Sequence, residues 1–261
     1  MKRSVALATG IALLSSVASA QTVVVTPAAP QGWGANSLSG VGAVGITTTQ
    51  ARGAGGGAGN GSLELTGTGS GDRTRFTIGT QAQGGFGLLN QLSTLSFDWY
   101  RSSSSTASAW HVPVFRILVA DPGNAITYRE IIWEYDYQFN SGNNTAPTDA
   151  WQNDVNLLAG NWYTNAALNA GTCSSLYGNN CLSYPDNWGF SSAAYVLGFS
   201  IGTGSGWSGS FQGFADDVAI GFGNGPVTRY DFETAAVPEP ASLALLGTGM
   251  MMLLAMARRR V

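Results

Sequence analysis

The stretch Arg129-Glu-Ile-Ile-Trp-Glu-Tyr-Asp-Tyr137 sets three carboxylates, Glu130, Glu134 and Asp136, at even spacing. In an extended chain, side chains alternate between two faces. Glu130, Ile132, Glu134 and Asp136 then share one face, and Ile131, Trp133, Tyr135 and Tyr137 the other. Two carboxyl groups about 5 Å apart can serve as the acid and nucleophile of sugar hydrolysis. This strip is therefore the chain's candidate for a polysaccharide hydrolase or lyase. The competing reading is a solvated strand face whose acids protect an edge from aggregation.

Asp216 and Asp217, in Gly213-Phe-Ala-Asp-Asp-Val-Ala-Ile-Gly-Phe222, form a second candidate. Alternation places Asp216 inward with Phe214, Val218, Ile220 and Phe222 unless a bulge intervenes, and leaves Asp217 exposed. A buried carboxylate must be hydrogen-bonded, paired or metal-bound. The commoner arrangement is a carboxylate accepting loop amides; calcium, which takes hard oxygen ligands, is the other occupant to test at Asp216. Trp188 and Trp207 lie among Gly, Ser and Asn, where loop rings are free to stack on sugars, whereas Trp99 and Trp133 fall in strands and read as core. His111 is the only histidine, a strand-end residue before Pro113, and no Ser-His-Asp triad can be built on it. Cys173 and Cys181 are the only cysteines and too few, with one distant histidine, for a zinc site. In an exported chain they are expected to form a disulfide worth roughly 2.5 kcal/mol. No catalytic residue and no cofactor beyond calcium is assigned, and the expectation is a protein that is not an enzyme.

The elements that would hold these residues read as strands. Leu63 and Leu65 share a face in Ser-Leu-Glu-Leu-Thr-Gly, Phe76 and Ile78 in Arg-Thr-Arg-Phe-Thr-Ile-Gly, and Leu95, Phe97 and Trp99 in Thr-Leu-Ser-Phe-Asp-Trp-Tyr. Helical patterning is nearly absent before the tail, and the stretch from Asp149 to Gly160 is ambiguous between helix and strand. Eight or more strands without covering helices imply an all-β, antiparallel sandwich of jelly-roll type over residues 21–236. A β-helix is the competitor, but no fixed short repeat is visible. Arg52 to Gly61, Arg-Gly-Ala-Gly-Gly-Gly-Ala-Gly-Asn-Gly, is expected to be a mobile loop.

Charge separates the ends from the body. Lys2 is the only lysine, and Arg258, Arg259 and Arg260 cluster at the end; between Gln21 and Pro240, seven arginines face fifteen acidic residues. A body of that sign offers no footprint for nucleic acid. Residues 1–20 have a basic start, an apolar stretch from Val5 to Val17 and the small residues Ala18 and Ala20, the pattern signal peptidase cuts, leaving Gln21 as the new terminus. Ala241 to Ala257 is uncharged, and its seventeen residues would make a helix of roughly 25 Å. A short transmembrane helix is expected there, with the arginines 258–260 snorkelling on the cytoplasmic side and the body outside the membrane.

Val237-Pro-Glu-Pro240, the apolar helix and the basic tip together resemble the PEP-CTERM sorting signal of Gram-negative bacteria, with Pro238, Glu239 and Pro240 as its motif. The resemblance implies an exosortase partner, transient anchoring in the inner membrane, a final place at the cell surface or beyond, and association with exopolysaccharide and biofilm. Gln-Gly-Trp-Gly near the start, Leu-Ser-Phe-Asp-Trp-Tyr and the final Tyr-Asp-Phe-Glu resemble an uncharacterised group of such proteins with a concanavalin A-like or laminin G-like jelly-roll body. The carboxylate order here, Glu-x-x-x-Glu-x-Asp, departs from the laminarinase-type Glu-x-Asp-x-x-Glu, so no catalytic role transfers. The favoured function is a non-catalytic, polysaccharide-associated surface protein; the alternatives are the hydrolase or lyase and a self-associating structural matrix protein.

Overall fold

Period-two alternation is what the chain folds around. The computed structural model describes residues 20–69, 71–79, 85–138, 144–164, 189–204 and 206–235. Its strands are β1 (Gln21–Val25), β2 (Trp33–Ser39), β3 (Ala43–Gly53), β4 (Gly57–Gly67), β5 (Arg73–Gly79), β6 (Gly87–Leu88), β7 (Leu92–Arg101), β8 (Val114–Asp121), β9 (Ile126–Trp133), β10 (Gln152–Asn156), β11 (Tyr163–Thr164), β12 (Tyr195–Gly202), β13 (Phe211–Phe222) and β14 (Thr228–Phe232).

They form two seven-stranded sheets. One runs β1-β14-β13-β4-β3, with β7 on the other edge of β13 and β10 beyond β7; the second runs β11-β9-β8-β12-β5-β2, with β6 beside β12. The pairs are antiparallel except β1 with β14, which run parallel from Gln21 opposite Thr228 to Val25 opposite Phe232. The expected sandwich is therefore present, with this one parallel pair as the departure from a purely antiparallel layout.

Leu63, Leu65, Leu95 and Phe97 from the first sheet and Phe115, Ile117, Val119, Ile131, Phe199 and Ile201 from the second are at most 2% exposed and fill the space between the layers. Each such side chain contributes about 1.5–3 kcal/mol relative to an exposed one. Trp99 and Trp133 are core, as their strand positions imply. Trp33 closes one end, 5.7 Å from Phe76 and 5.2 Å from Phe232.

One expected segment folds differently, and one ambiguous segment is resolved. Arg52 to Gly61 is no loop: β3 runs into a 3-10 turn at Ala54–Gly56 and straight back into β4. Gly55 takes the left-handed φ of 64° that the turn needs, and a Cβ on Gly59 would come within 1.9 Å of the Arg52 carbonyl oxygen. The ambiguous stretch after Asp149 becomes β10 and then a 3-10 turn at Leu157–Ala159, capped by Asn156.

Ala20 is exposed and directly precedes β1, so a cut after it would leave the first strand intact. Ala18, with the rest of the expected signal peptide, lies outside the described residues, as do 237–261 with the expected span 241–257. Among the described residues no helix is long and apolar enough to cross a membrane.

Candidate functional sites

The carboxylate strip does not run as one strand. β9 ends at Trp133, and Tyr135–Gln138 turns as a 3-10 helix because the Glu134 carbonyl takes bonds from Tyr137 N at 3.2 Å and Gln138 Nε2 at 2.8 Å. Asp136 sits in that turn rather than on the strand face. Nor is the face solvated. Glu130 is 6% exposed, clasped by both terminal nitrogens of Arg75 (Nη2 to Oε2, 3.1 Å) and by Tyr128 Oη at 2.6 Å, with Arg116 Nε 4.0 Å away. Burial alone would raise the Glu130 pKa, but the hydrogen bonds from Arg75 and Tyr128 outweigh it and hold the carboxyl below its usual range. Strand order brings these groups together, because β5 and β8 flank β12 and β9 follows β8; Ser200 of β12 sits opposite both Arg116 and Thr77. Glu134 accepts from Tyr163 Oη at 2.8 Å, and burial raises its pKa.

The Asp216–Asp217 step lies where β13 changes partners. On one edge β13 pairs with β4 through Ala215 and with β14 from Val218 onward, and its register with β7 slips between Asp216 and Ala219. This is the bulge that alternation alone could not place. Ala215 and Val218 face the core, and Asp217 lies under the β3–β4 turn. Asp216 is fully buried, and its Oδ1 accepts Asp217 N at 2.7 Å and Phe232 N at 2.8 Å, the amide-accepting role expected of it. Asp217, expected exposed, is 1% exposed with φ of 47°. Its Oδ2 accepts Gly55 N at 2.7 Å and Arg229 Nη1 at 2.5 Å.

Around them stands an acidic layer that sequence reasoning missed. Asp98 bonds Arg52 Nε at 2.8 Å and Asp154 N at 2.7 Å; Arg229 Nη2 bonds Asp154 at 3.1 Å. Carboxylate oxygens of Asp98, Asp154 and Asp217 lie within 4.8 Å of one another. Asp216, Asp231 and Glu233 adjoin, so six carboxylates face two guanidiniums. Burial raises Asp98 and Glu233 and lifts Asp231 to about 6, and it drives Asp216 well above its ordinary value. Among the described residues, Asp216 Oδ2, Asp217 Oδ1 and Asp231 Oδ1 have no hydrogen-bond partner. The carboxylate oxygens of Asp98, Asp154 and Asp217 are hard ligands of the kind that suit calcium. Sequence distance hid the cluster: its members come from β7, β10, β13, β14 and, with Glu233, the residue after β14.

The aromatic expectation is half corrected. Trp207 is 8% exposed and stacks on His111 with ring centroids 4.2 Å apart and planes at 8°, with Phe211 against it at 4.9 Å. Its stacking face is taken, so it offers no platform for sugar. His111 is partly buried there; burial, then repulsion from Arg101, pushes its pKa down to about 4. Trp188, Cys173 and Cys181 lie outside the described residues.

A pocket of about 270 Å³ opens where the β7–β10 edge of one sheet meets β9 of the other. Its lining includes Trp99, Trp133, Tyr135, Gln138, Gln152 and Asn156. Gln138 is engaged on both amide atoms, by Asn161 N at 2.7 Å and by the Glu134 and Asn161 carbonyls.

The strand pairing defines the body as an all-β, two-sheet sandwich. Residues 236–260 carry the PEP-CTERM protein-sorting motif, which contains Pro238, Glu239 and Pro240. That motif implies export, a transient membrane anchor and processing by an exosortase. No curated protein matches the chain. Among solved structures it is similar to a family 11 carbohydrate-binding module from Clostridium thermocellum, seen in complex with a β-1,3-1,4-mixed-linked tetrasaccharide. The two share 12% identity and a TM-score of 0.40 over 75% of this chain and 91% of that one. A second structure, of the family 11 module of the cellulosomal cellulase Lic26A-Cel5E from the same organism, aligns at 11% identity and a TM-score of 0.40 over 73% and 88%.

Proposed function

We propose that this protein works outside the cytoplasm as a non-catalytic sandwich that associates with extracellular polysaccharide. Export follows from the sorting motif at 236–260. The observation that supports a non-catalytic body is the state of the expected catalytic strip. Glu130 is ion-paired to Arg75 and hydrogen-bonded to Tyr128, and Asp136 has left the strand face. A nucleophilic carboxylate needs an unblocked approach to the anomeric carbon, which a guanidinium clasp removes. The exported protein is expected to co-sediment with matrix polysaccharide and to release no sugar from it. Absence of co-sedimentation, together with normal biofilm in a deletion strain, refutes the proposal.

One observation favours the hydrolytic alternative: burial raises the Glu134 pKa, as a general acid requires. Sugar release that disappears in Glu134→Gln would establish it. Calcium is a further element of the proposal. Asp98, Asp154 and Asp217 would hold the ion, and its work there would be structural, neutralising the layer beneath the β3–β4 turn.

A further inference from the structure

The pocket at the β7–β10 edge is backed by core rings, one of which carries an unpaired donor. Trp99 is 2% exposed, and its Nε1 has no hydrogen-bond partner. A buried donor left unpaired is costly, and native structures rarely keep one without a ligand, water or ion to satisfy it. The neighbouring rings are Trp133 and Tyr135, the latter edge-on to Trp99 at 5.6 Å. At the rim, Asn156 uses Oδ1 to cap Leu158 N at 3.1 Å, and Gln152 uses Nε2 toward the Ala150 carbonyl at 3.3 Å. Asn156 Nδ2 and Gln152 Oε1 make no further bond among the described residues, leaving one donor and one acceptor. Among the described residues, no charged side chain lines the cavity.

Indole and phenol rings beside neutral amides suit a ligand with apolar C–H faces and uncharged hydroxyls. An anionic ligand would find no countercharge and would pay full desolvation. At about 270 Å³ the pocket is slightly below the size that encloses drug-sized ligands, which fits one ring rather than an oligosaccharide.

We propose that this pocket takes a single neutral pyranose, the end or a side branch of a polysaccharide chain, with the Trp99 indole N–H donating to one of its hydroxyls. The inference rests on the polysaccharide-associated reading above and adds to it the site and the class of sugar.

The test uses the full exported chain and its Trp99→Phe variant, which keeps the aromatic bulk and deletes the donor. Neutral monosaccharides (glucose, galactose, mannose) and glucuronate are titrated separately by calorimetry, and both proteins are co-sedimented with matrix polysaccharide. The pocket is supported if a neutral sugar binds, glucuronate binds at least about tenfold more weakly, and Trp99→Phe loses about tenfold in affinity without a fall in Tm. A merely structural tryptophan would lower Tm and leave affinity alone. If both proteins co-sediment equally and no monosaccharide binds, the pocket is refuted while the polysaccharide reading stands. If neither protein co-sediments, no sugar binds and a deletion strain forms normal biofilm, both fall. Gln152→Ala, a rim change that leaves the core intact, gives the same answer should Trp99→Phe fail to fold.

Discussion

Replacing Asp216 by asparagine should stabilise the protein, and by an amount that grows with pH. Asp216 is fully buried, with Oδ1 taken by two backbone amides and Oδ2 unpaired. Burial first, then repulsion from Asp231 and Glu233, raises its pKa well above the ordinary value, so the folded protein keeps a proton that the unfolded chain gives up near pH 4. A raised carboxyl favours folding fully below the unfolded pKa, and that contribution is lost as pH rises through the folded one. Each unit climbed between the two costs about 1.4 kcal/mol. Asparagine accepts the same two amides through Oδ1, places an NH₂ where the unpaired oxygen was, and has no proton to lose. The variant's advantage should be near zero at pH 4 and no more than about 4 kcal/mol at pH 7, an upper limit of roughly 8–16 °C in Tm for a body of this size. Urea unfolding followed by tryptophan fluorescence at each pH unit, with chelator present, measures it. A difference that stays constant with pH, or an asparagine variant less stable at pH 7, refutes the reasoning. Asp231, lifted to about 6, should add to the decline of the parent protein between pH 4 and 7. Solvent screening at the layer's rim holds that share to about 1–2 kcal/mol.

Glu130→Gln should cost about 3 kcal/mol, roughly 6–12 °C in Tm, because Arg75 and the 3% exposed Arg116 then lack a carboxylate; an unchanged Tm in calorimetry overturns the ion-pair account. His111, pushed down to about 4, should stay neutral in the folded protein, so stability should fall as pH drops from about 6.5 toward 4. Its imidazole NMR midpoint near 4 is the check, and a midpoint near 6.5 contradicts the stacked, buried ring. Saturating calcium at pH 7.5 should stabilise the protein by roughly 3 kcal/mol, an effect removed by chelator and absent in Asp217→Asn. A Tm indifferent to calcium disproves the cation.

Local rules carried part of this protein a long way. Period-two alternation at Leu63 and Leu65, Phe76 and Ile78, and Leu95 and Phe97 determined which side chains form the core, because a strand with one buried face has no freedom of register. The order of charge, apolar run and Pro238-Glu239-Pro240 determined the sorting motif, because such addresses are read as linear sequence. Tertiary structure decided the rest. Asp217 is buried where β13 bulges and β4 hands its edge to β14, an event that depends on where β4, far earlier in the chain, ends. Glu130 is ion-paired because strand order brings Arg75 to it from β5, three strands away across β8 and β12. Trp207, on a Gly-rich turn that promised exposure, is covered by His111 from a distant loop. The fate of these charged and aromatic side chains is settled by what stands opposite them, and the Arg75 of Glu130 and the His111 of Trp207 lie far from them in the sequence.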